Sequence, residues 1–182
     1  VKALCHKGIK VTTFDNLSSG YRDAVTGGKF VFGDLSDRAT LMSLFRQENF
    51  DGVMHFASHI QVGESVTAPA KYYHNNVTCT LNLLDAMRKH QVQCFIFSSS
   101  AAIFGEPNKI PLDETHPKNP INPYGRTKWM VEQILTDYDL AYGLRSIALR
   151  YFNVAGADPL GKIGERHNPE THLVPLVLKA AS

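Results

Sequence analysis

Stretches of apolar and β-branched residues alternate along this 182-residue chain with stretches whose apolar residues recur at helical spacing. The first kind predicts buried strands, and the second predicts amphipathic helices. Alternation of strands and helices over this length predicts an α/β fold with a doubly wound parallel sheet covered on both faces. The predicted strands cover residues 10–14, 30–32, 52–56, 94–97 and 145–149, and the predicted helices cover residues 38–47, 69–89 and 124–142.

The helix predicted over residues 69–89 carries a stripe of apolar side chains. Val77, Leu81, Leu84 and Met87 recur at three- and four-residue spacing. Residues at this spacing share one face of a helix, so the stripe is predicted to pack into the core.

The two ends of the chain differ from those of a doubly wound domain. Residues 1–8 predict the last turns of a helix, whereas such a domain begins with a strand and a Gly-rich phosphate turn. That first strand is central in the usual strand order, so we expect two sheet halves that do not pair. Because the chain also stops within a helical segment after Pro175, we expect an internal fragment of a longer protein.

Composition and charge disfavour several classes of protein. A hydrophobic content of 43% and a charged content of 20% are typical of a soluble globular protein. The formal net charge of +2 is too small to favour nucleic acid or a membrane surface as a partner. Cys5, Cys79 and Cys94 form no Cys-x-x-Cys pair, which favours reduced thiols in a cytoplasmic protein.

The richest chemical pattern is Pro123-Tyr124-Gly125-Arg126-Thr127-Lys128 at a predicted helix start. Tyrosine and lysine four residues apart share a helix face, and a nearby cation favours the phenolate of a tyrosine. The pattern alone is weak, because an ordinary helix surface explains most of its chance occurrences. A buried strand that ends in Ser98-Ser99-Ser100 lies upstream and supplies hydroxyls for a proton-handling site.

Six motifs in this order place the chain in a known family. They are His55-Phe56-Ala57, Val62-Gly63-Glu64-Ser65, Tyr72-Tyr73-His74-Asn75-Asn76-Val77, Ser98-Ser99-Ser100-Ala101, Tyr124 to Lys128, and Arg150-Tyr151-Phe152-Asn153. A seventh, Pro169-Glu170-Thr171-His172-Leu173-Val174-Pro175, follows Gly164-Glu165. The set resembles the UDP-glucose 4-epimerases of the extended short-chain dehydrogenase/reductase superfamily. The resemblance implies an NAD-binding Rossmann domain over residues 1–154 and the start of a sugar-nucleotide domain over residues 155–182.

The resemblance implies a catalytic group of three residues. Tyr124 would exchange the proton of the sugar 4-hydroxyl, and Ser100 would share that hydrogen bond. Lys128 would hold the nicotinamide ribose and, with the positive nicotinamide ring, lower the pKa of the tyrosine. The implied reaction interconverts UDP-glucose and UDP-galactose through a 4-keto sugar.

The resemblance also implies the residues that bind NAD. An acid after the second strand of such a fold binds ribose hydroxyls and repels a 2′-phosphate, which favours NAD over NADP. For Asp15 the interpretation that competes with cofactor binding is a turn role. For the segment of Asp34 and Leu35 it is helix capping at Ser36 or Asp37. Some epimerases carry lysine at the position of Ile60, so a direct charge contact from that loop is not predicted here. The implied cofactor-binding residues are Asp15, Asn16, Leu17, Ser18, Ser19, Gly20, Asp34, Leu35, Phe56, Ala57, Ser58, His59, Ile60, Asn75, Ser100, Tyr124, Lys128 and Phe152.

The UDP-sugar is implied to bind Asn153, His172 and Leu173 as well as Ser100 and Tyr124, although some family members have asparagine in place of His172. Ala101 and Ala102 disfavour a dehydratase, because related 4,6-dehydratases carry an Asp-Glu pair there. An epimerase or decarboxylase that acts on UDP-glucuronate and a non-catalytic nucleotide-binding protein remain alternatives.

No metal site is predicted from the histidines. His55 and His59 straddle a strand end, and His167, Glu170 and His172 lack the spacing of a known site. The resemblance implies a homodimer for the full-length protein, with a UDP-sugar as its substrate. The small net charge and the lack of a long apolar run predict no nucleic acid or membrane partner.

Overall fold

A computed structural model describes residues 1–167, 170 and 172–181. They divide into two compact units, residues 33–152 and the combined segments 1–32 and 153–182. Each unit contains one parallel sheet, so the predicted parallel α/β architecture is confirmed. Among the described residues the two sheets share no strand pairing, as the sequence predicts for its two halves.

The unit that contains both chain ends is built on two short strands. β1 pairs in parallel with β2, from Thr12 opposite Lys29 to Asp15 opposite Phe32. Its elements are α1 (Lys2–His6), β1 (Thr12–Asp15), a 3-10 turn (Arg22–Ala24), β2 (Lys29–Phe32) and α7 (Leu173–Ala181).

The unit of residues 33–152 has a three-stranded sheet in the order β3-β4-β5. The predicted helix over 38–47 is confirmed, whereas α3 was not predicted. The elements are α2 (Arg38–Gln47), β3 (Val53–His55), α3 (Val62–Thr67), α4 (Pro69–Tyr73), a π-helical turn (His74–Thr78), α5 (Cys79–Lys89), β4 (Cys94–Ser100), a 3-10 turn (Ala101–Ile103), α6 (Pro123–Tyr142) and β5 (Arg145–Tyr151).

The predicted core stripe on the middle helix is only half right. Leu84 and Met87 are fully buried, but Val77 and Leu81 are only half-buried. The chain forms a π-helical turn over His74–Thr78, and a π turn accommodates one extra residue. The buried face before α5 is therefore shifted from the face that regular helical spacing predicts.

The core of this unit lies between the sheet and helices α2, α5 and α6. Phe95 and Phe97 alternate with more exposed neighbours along β4, as expected of a strand with one face against the helices. The buried apolar side chains from the helices are Leu41, Leu44, Phe45, Leu83, Leu84, Met87, Val131 and Leu135.

Helix α6 begins at a defined point beside the end of β4. The Asn122 side chain accepts a hydrogen bond from Gly125 N at 2.8 Å, and Pro123 occupies the first turn. A Cβ atom at Gly125 would lie 2.6 Å from the carbonyl oxygen of Ala102. Glycine therefore permits the first turn of α6 to approach the 3-10 turn that follows β4.

In the part of the chain that the structure describes, every helix is too short or too polar to cross a bilayer.

Candidate active site

Helix α6 brings two of the predicted catalytic residues together. Lys128 is only 2% exposed, and its Nζ lies 5.8 Å from the centre of the Tyr124 ring. Nζ donates to the carbonyl oxygen of Ser98 at 2.7 Å and to the hydroxyl of Ser58 at 2.9 Å. The lysine thus joins α6 to the end of β4 and to the loop that follows β3.

Burial changes the acid–base properties of both residues. It lowers the pKa of Lys128 to about 7, because the charged ammonium loses its hydration. Burial also raises the pKa of the Tyr124 phenol, and a hydrogen bond from the Ser100 side chain acts in the opposite direction. The protein groups alone therefore leave the pKa of Tyr124 raised. That Lys128 and the positive nicotinamide ring together lower this pKa stays a prediction.

Ser100 meets Tyr124 at the end of β4, as the sequence predicts for a strand-end hydroxyl. Its Oγ also accepts a hydrogen bond from Ala102 N at 3.2 Å. This second bond fixes the rotamer of Ser100 in the turn that Gly125 packs against. Ser100, Tyr124 and Lys128 therefore form one cluster built from β4 and α6.

The loop after β3 contains five of the predicted cofactor-binding residues. Ser58 contacts Lys128, and His59 is held by its backbone, while Phe56 and Ile60 are exposed. The loop therefore presents exposed apolar side chains together with a hydroxyl that is bonded to the buried Lys128. Whether the five residues bind a cofactor stays a prediction.

Asn76 holds this loop against α6, and the sequence analysis missed it. Its Oδ1 accepts from His59 N at 2.8 Å, and its Nδ2 donates to His59 O at 3.0 Å and to Thr127 Oγ1 at 3.2 Å. The predicted cofactor residue Asn75 donates to Asn76 Oδ1 at 2.9 Å. Two asparagines are unfavourable inside a helix, and this was the signal that could have revealed the π-helical turn.

His55 lies beneath this turn and has a structural role. Thr80 Oγ1 donates its proton to the carbonyl oxygen of Asn76 at 2.8 Å, so His55 Nε2, also 2.8 Å away, must be the donor to Thr80. Burial, and to a lesser degree the charge of Lys128, lowers the pKa of His55 to about 3. The imidazole is therefore neutral at physiological pH.

In the unit formed by both chain ends, Asp15 stands at the end of β1. Asp15 Oδ1 accepts from Leu17 N at 2.6 Å, and Asn16 Oδ1 accepts from Ser18 N at 2.9 Å. Leu17 has a φ of 57°. The chain then folds back, so that a Cβ atom at Gly20 would lie 3.5 Å from Asp15 Oδ1. The turn role considered for Asp15 is thus real. A cofactor role for the predicted segment 15–20 stays a prediction.

Asp34 also closes a turn, accepting from Ser36 N at 2.7 Å beside Leu35. Asp37 rather than Ser36 caps α2, since its carboxylate accepts from Ala39 N and Thr40 N. The capping role considered for Asp37 is confirmed. The adenine contacts of Asp34 and Leu35 stay predictions.

After β5, the predicted cofactor-binding residue Phe152 and the predicted sugar-nucleotide residues Asn153 and Leu173 are accessible. Phe152 is 69% exposed at the end of one unit, and Asn153 is exposed at the start of the next segment. Leu173 is also 69% exposed and begins α7. Pro169 and Thr171 of the predicted motif lie outside the described residues.

His172 belongs to a cluster of two histidines and two glutamates. The donor atoms of Glu165, His167, Glu170 and His172 all lie within 4.8 Å of one another. His172 Nδ1 is 2.8 Å from a carboxylate oxygen of Glu165 and 2.8 Å from one of Glu170. The sequence analysis considered three of these residues and missed Glu165. Because the carboxylates already pair with the imidazoles, the absence of a metal stays the prediction.

Comparison with protein families matches residues 1–182 to the NAD dependent epimerase/dehydratase family. The chain belongs to this family. The UDP-glucose 4-epimerase of Rhizobium leguminosarum bv. trifolii is 51% identical over 178 residues, which are 98% of this chain and 54% of the relative. That of Lactobacillus helveticus is 50% identical over 182 residues, which cover 100% of this chain and 55% of the relative. The chain thus spans about half the length of the curated relatives it matches.

Solved structures agree with the predicted fold. The UDP-glucose 4-epimerase from Brucella ovis in complex with NAD has a TM-score of 0.97 at 51% identity, over 99% of this chain and 55% of that one. The enzyme from Bifidobacterium longum in complex with NAD+ and UDP has a TM-score of 0.88 at 39% identity, over 91% of this chain and 52% of that one. The predicted Rossmann-like α/β fold is therefore confirmed.

Proposed function

We propose that the full-length protein containing this chain is a UDP-glucose 4-epimerase that interconverts UDP-glucose and UDP-galactose with bound NAD. The observation that carries the proposal is the cluster of Ser100, Tyr124 and Lys128 at the end of β4. The similarity to epimerases of several bacteria supports the same reaction.

The environment of Lys128 fits a dinucleotide. An ammonium has three protons, and two of them have acceptors among the described residues, the Ser58 hydroxyl and the Ser98 carbonyl. A ribose hydroxyl would accept the third and would offset part of the cost of burying the charge. Asn75 supplies a further polar group for hydroxyls. An acid at position 15 favours NAD over NADP.

Bound NAD would supply the acceptor that takes hydride from the sugar C4 and returns it. The residues of the chain handle the proton and the orientation. Tyr124 as phenolate accepts the proton of the 4-hydroxyl and returns it, while Ser100 hydrogen-bonds the same sugar oxygen. Ala101 and Ala102 carry no group that transfers protons, so the elimination of water that a dehydratase performs has no acid or base there.

The remaining parts of the proposal concern organisation. Residues 1–154 form the dinucleotide-binding part, and residues 155–182 begin the sugar-nucleotide part. The sugar nucleotide binds His172 and Leu173 of the second part and Asn153 at the end of the first. The resemblance supports a homodimer. The three cysteines, all without disulfides, are consistent with a protein of the cytoplasm.

The test is incubation of the purified full-length protein with UDP-galactose, without added nucleotide or reductant, followed by NMR of the sugar products. We expect UDP-glucose to form until an equilibrium mixture is reached. UDP-glucuronate, offered in parallel, should remain unchanged. A folded protein with bound NAD that leaves UDP-galactose intact would overturn the proposal, and conversion of UDP-glucuronate would identify the alternative.

A further inference from the structure

The three serines that end β4 each meet a different residue of one face of α6. Tyr124, Lys128 and Glu132 follow one another at four-residue spacing and therefore share this face. The Ser100 side chain bonds the Tyr124 phenol, the Ser98 carbonyl accepts from Lys128 Nζ at 2.7 Å, and the Ser99 hydroxyl donates to Glu132 Oε1 at 2.5 Å. The first two contacts involve the catalytic residues themselves. The third joins two residues that touch neither substrate nor cofactor in the proposed reaction.

Glu132 also bonds the neighbouring strand. Arg150 Nη2 donates to Glu132 Oε2 at 2.6 Å, and Arg150 Nε donates to Oε1 at 3.1 Å, which makes a two-point ion pair. Ser99 and Arg150 are direct partners in the parallel register of β4 and β5. One carboxylate therefore ties α6 to two adjacent strands at the same level of the sheet.

The clip formed by Ser99, Glu132 and Arg150 is mostly shielded from water. The side chain of Glu132 is 7% exposed and that of Arg150 is 21% exposed. Hydrogen bonds to charged groups in such surroundings are short and directional. A shift of α6 along the sheet would break both contacts and leave a charge unpaired in the interior, which is costly. The register of the helix is therefore strongly defined at this point.

We propose that Glu132 is a positioning residue, which binds Ser99 and Arg150 together and thereby holds Tyr124 of the same helix in register with Ser100. The inference rests on the proposed function for its catalytic consequence. A stabilising role alone would lower the melting temperature and leave the chemistry of each folded molecule unchanged. The experiment must separate these two effects.

Three variants of the full-length protein, each purified with its NAD, make the test. Ser99→Ala removes only the hydroxyl and leaves the ion pair. Glu132→Gln removes the charge at constant size, and Glu132→Asp restores it at a shorter reach. Asp137→Asn is the matched control, because Asp137 is exposed on the same helix.

For Glu132→Gln we expect kcat for UDP-galactose to fall about tenfold to a hundredfold per NAD-loaded molecule, because a small displacement of a catalytic group has an effect of this size. KM should stay within about twofold, because the residue does not touch the substrate. Ser99→Ala should show a smaller loss in kcat, Glu132→Asp a partial recovery, and Asp137→Asn no change.

A second readout does not depend on turnover. NMR of protein with carbon-13-labelled tyrosine gives the pKa of Tyr124, with its signal assigned by comparison with Tyr124→Phe. The charged and titratable groups facing Tyr124 are Lys128 on α6 and Tyr72 on α4. Because the Ser100 hydrogen bond lowers the pKa of Tyr124, loss of register should raise that pKa by about half a unit or more in Ser99→Ala and Glu132→Gln.

The outcomes separate the two proposals. Variants that melt earlier but keep the wild-type kcat and the wild-type Tyr124 titration would overturn the positioning role. If the wild-type protein does not interconvert UDP-sugars, the proposed function fails, and the tyrosine titration still decides whether Glu132 sets the register. If Glu132→Gln does not fold, Ser99→Ala decides, since its ion pair is intact.

Discussion

Lys128 Nζ donates a hydrogen bond to the Ser58 hydroxyl over 2.9 Å, although the two residues lie 70 positions apart in the chain. The bond links the helix that carries the proposed catalytic tyrosine to the loop that the sequence predicts to border the cofactor. The same lysine reaches the end of β4 through Ser98. One buried ammonium therefore connects three elements that would surround the nicotinamide ribose of the proposed enzyme.

Replacement of the proposed base tests the role of the phenol. In the full-length protein, Tyr124→Phe should reduce kcat for UDP-galactose by about 10²- to 10⁴-fold, the usual contribution of a positioned acid–base group. The ring and its packing remain, so the NAD content per protein molecule should not change. Turnover is followed by NMR of the sugar products, and NAD by its absorbance after denaturation. Turnover near that of the wild type would contradict a proton-transfer role for Tyr124.

The lowered pKa of Lys128 predicts how the stability of the nucleotide-free protein depends on pH. The folded-state pKa is about 7, below the ordinary value of 10.5, so between these limits the unfolded chain binds more protons than the folded one. The free energy of unfolding should therefore rise with pH across this window, by at most about 1.4 kcal/mol per pH unit from this group.

Lys128→Met, which keeps the apolar stem, should remove that part of the slope. Chemical denaturation of both proteins at several pH values gives the difference. An identical pH dependence in the variant would show that the lysine is not desolvated. In the NAD-loaded protein the same variant should also lose turnover, because it cannot hold the ribose.

The lowered pKa of His55 predicts that the folded protein loses stability in acid. Its folded-state pKa is about 3 and its ordinary value is 6.5. The unfolded chain alone gains this proton as the pH falls below 6.5, so the stability contribution of neutral His55 is lost progressively towards pH 3. His55→Gln should make unfolding less sensitive to acid over this range, by up to about 1.4 kcal/mol per pH unit. Acid titration followed by circular dichroism measures this difference, with His6→Gln, which replaces an exposed histidine, as the control.

Asn76 and Asn75 should behave differently although they are neighbours. Asn76→Ala removes the bonds to the backbone of His59 and to Thr127, so the free energy of unfolding should fall by about 2 kcal/mol or more. Asn75→Ala removes one side-chain contact and should cost much less stability, while it weakens the proposed binding of NAD. Denaturant titration and NAD-binding calorimetry compare the two. Equal losses of stability would show that Asn76 does not hold the loop.

The sequence predicted that Ser100, Tyr124 and Lys128 lie together because the signals for this cluster are local. Tyr124 and Lys128 share a helix face by their spacing, and Ser100 follows an apolar strand that any parallel sheet would bury. Helix α6 and strands β4 and β5 accordingly appear close to their predicted bounds.

The contacts that hold this cluster could not be predicted in the same way. Asn76 faces His59 only because a π-helical turn shifts the helix face, and regular periodicity does not include such a turn. Glu132 on a helix normally faces solvent, and it becomes buried because the sheet register places Arg150 beside Ser99. Each depends on tertiary pairing rather than on residue spacing.

The most direct test of the proposed function follows an isotope through the reaction. Full-length protein is incubated with UDP-galactose that carries deuterium on C4, in ordinary water, and the UDP-glucose formed is analysed by NMR and mass spectrometry. If hydride leaves C4 and returns to it within one active site, the product retains deuterium on C4. Loss of the label to solvent would contradict the account, because it would mean that C4 exchanges a proton with water and that Tyr124 serves a different reaction.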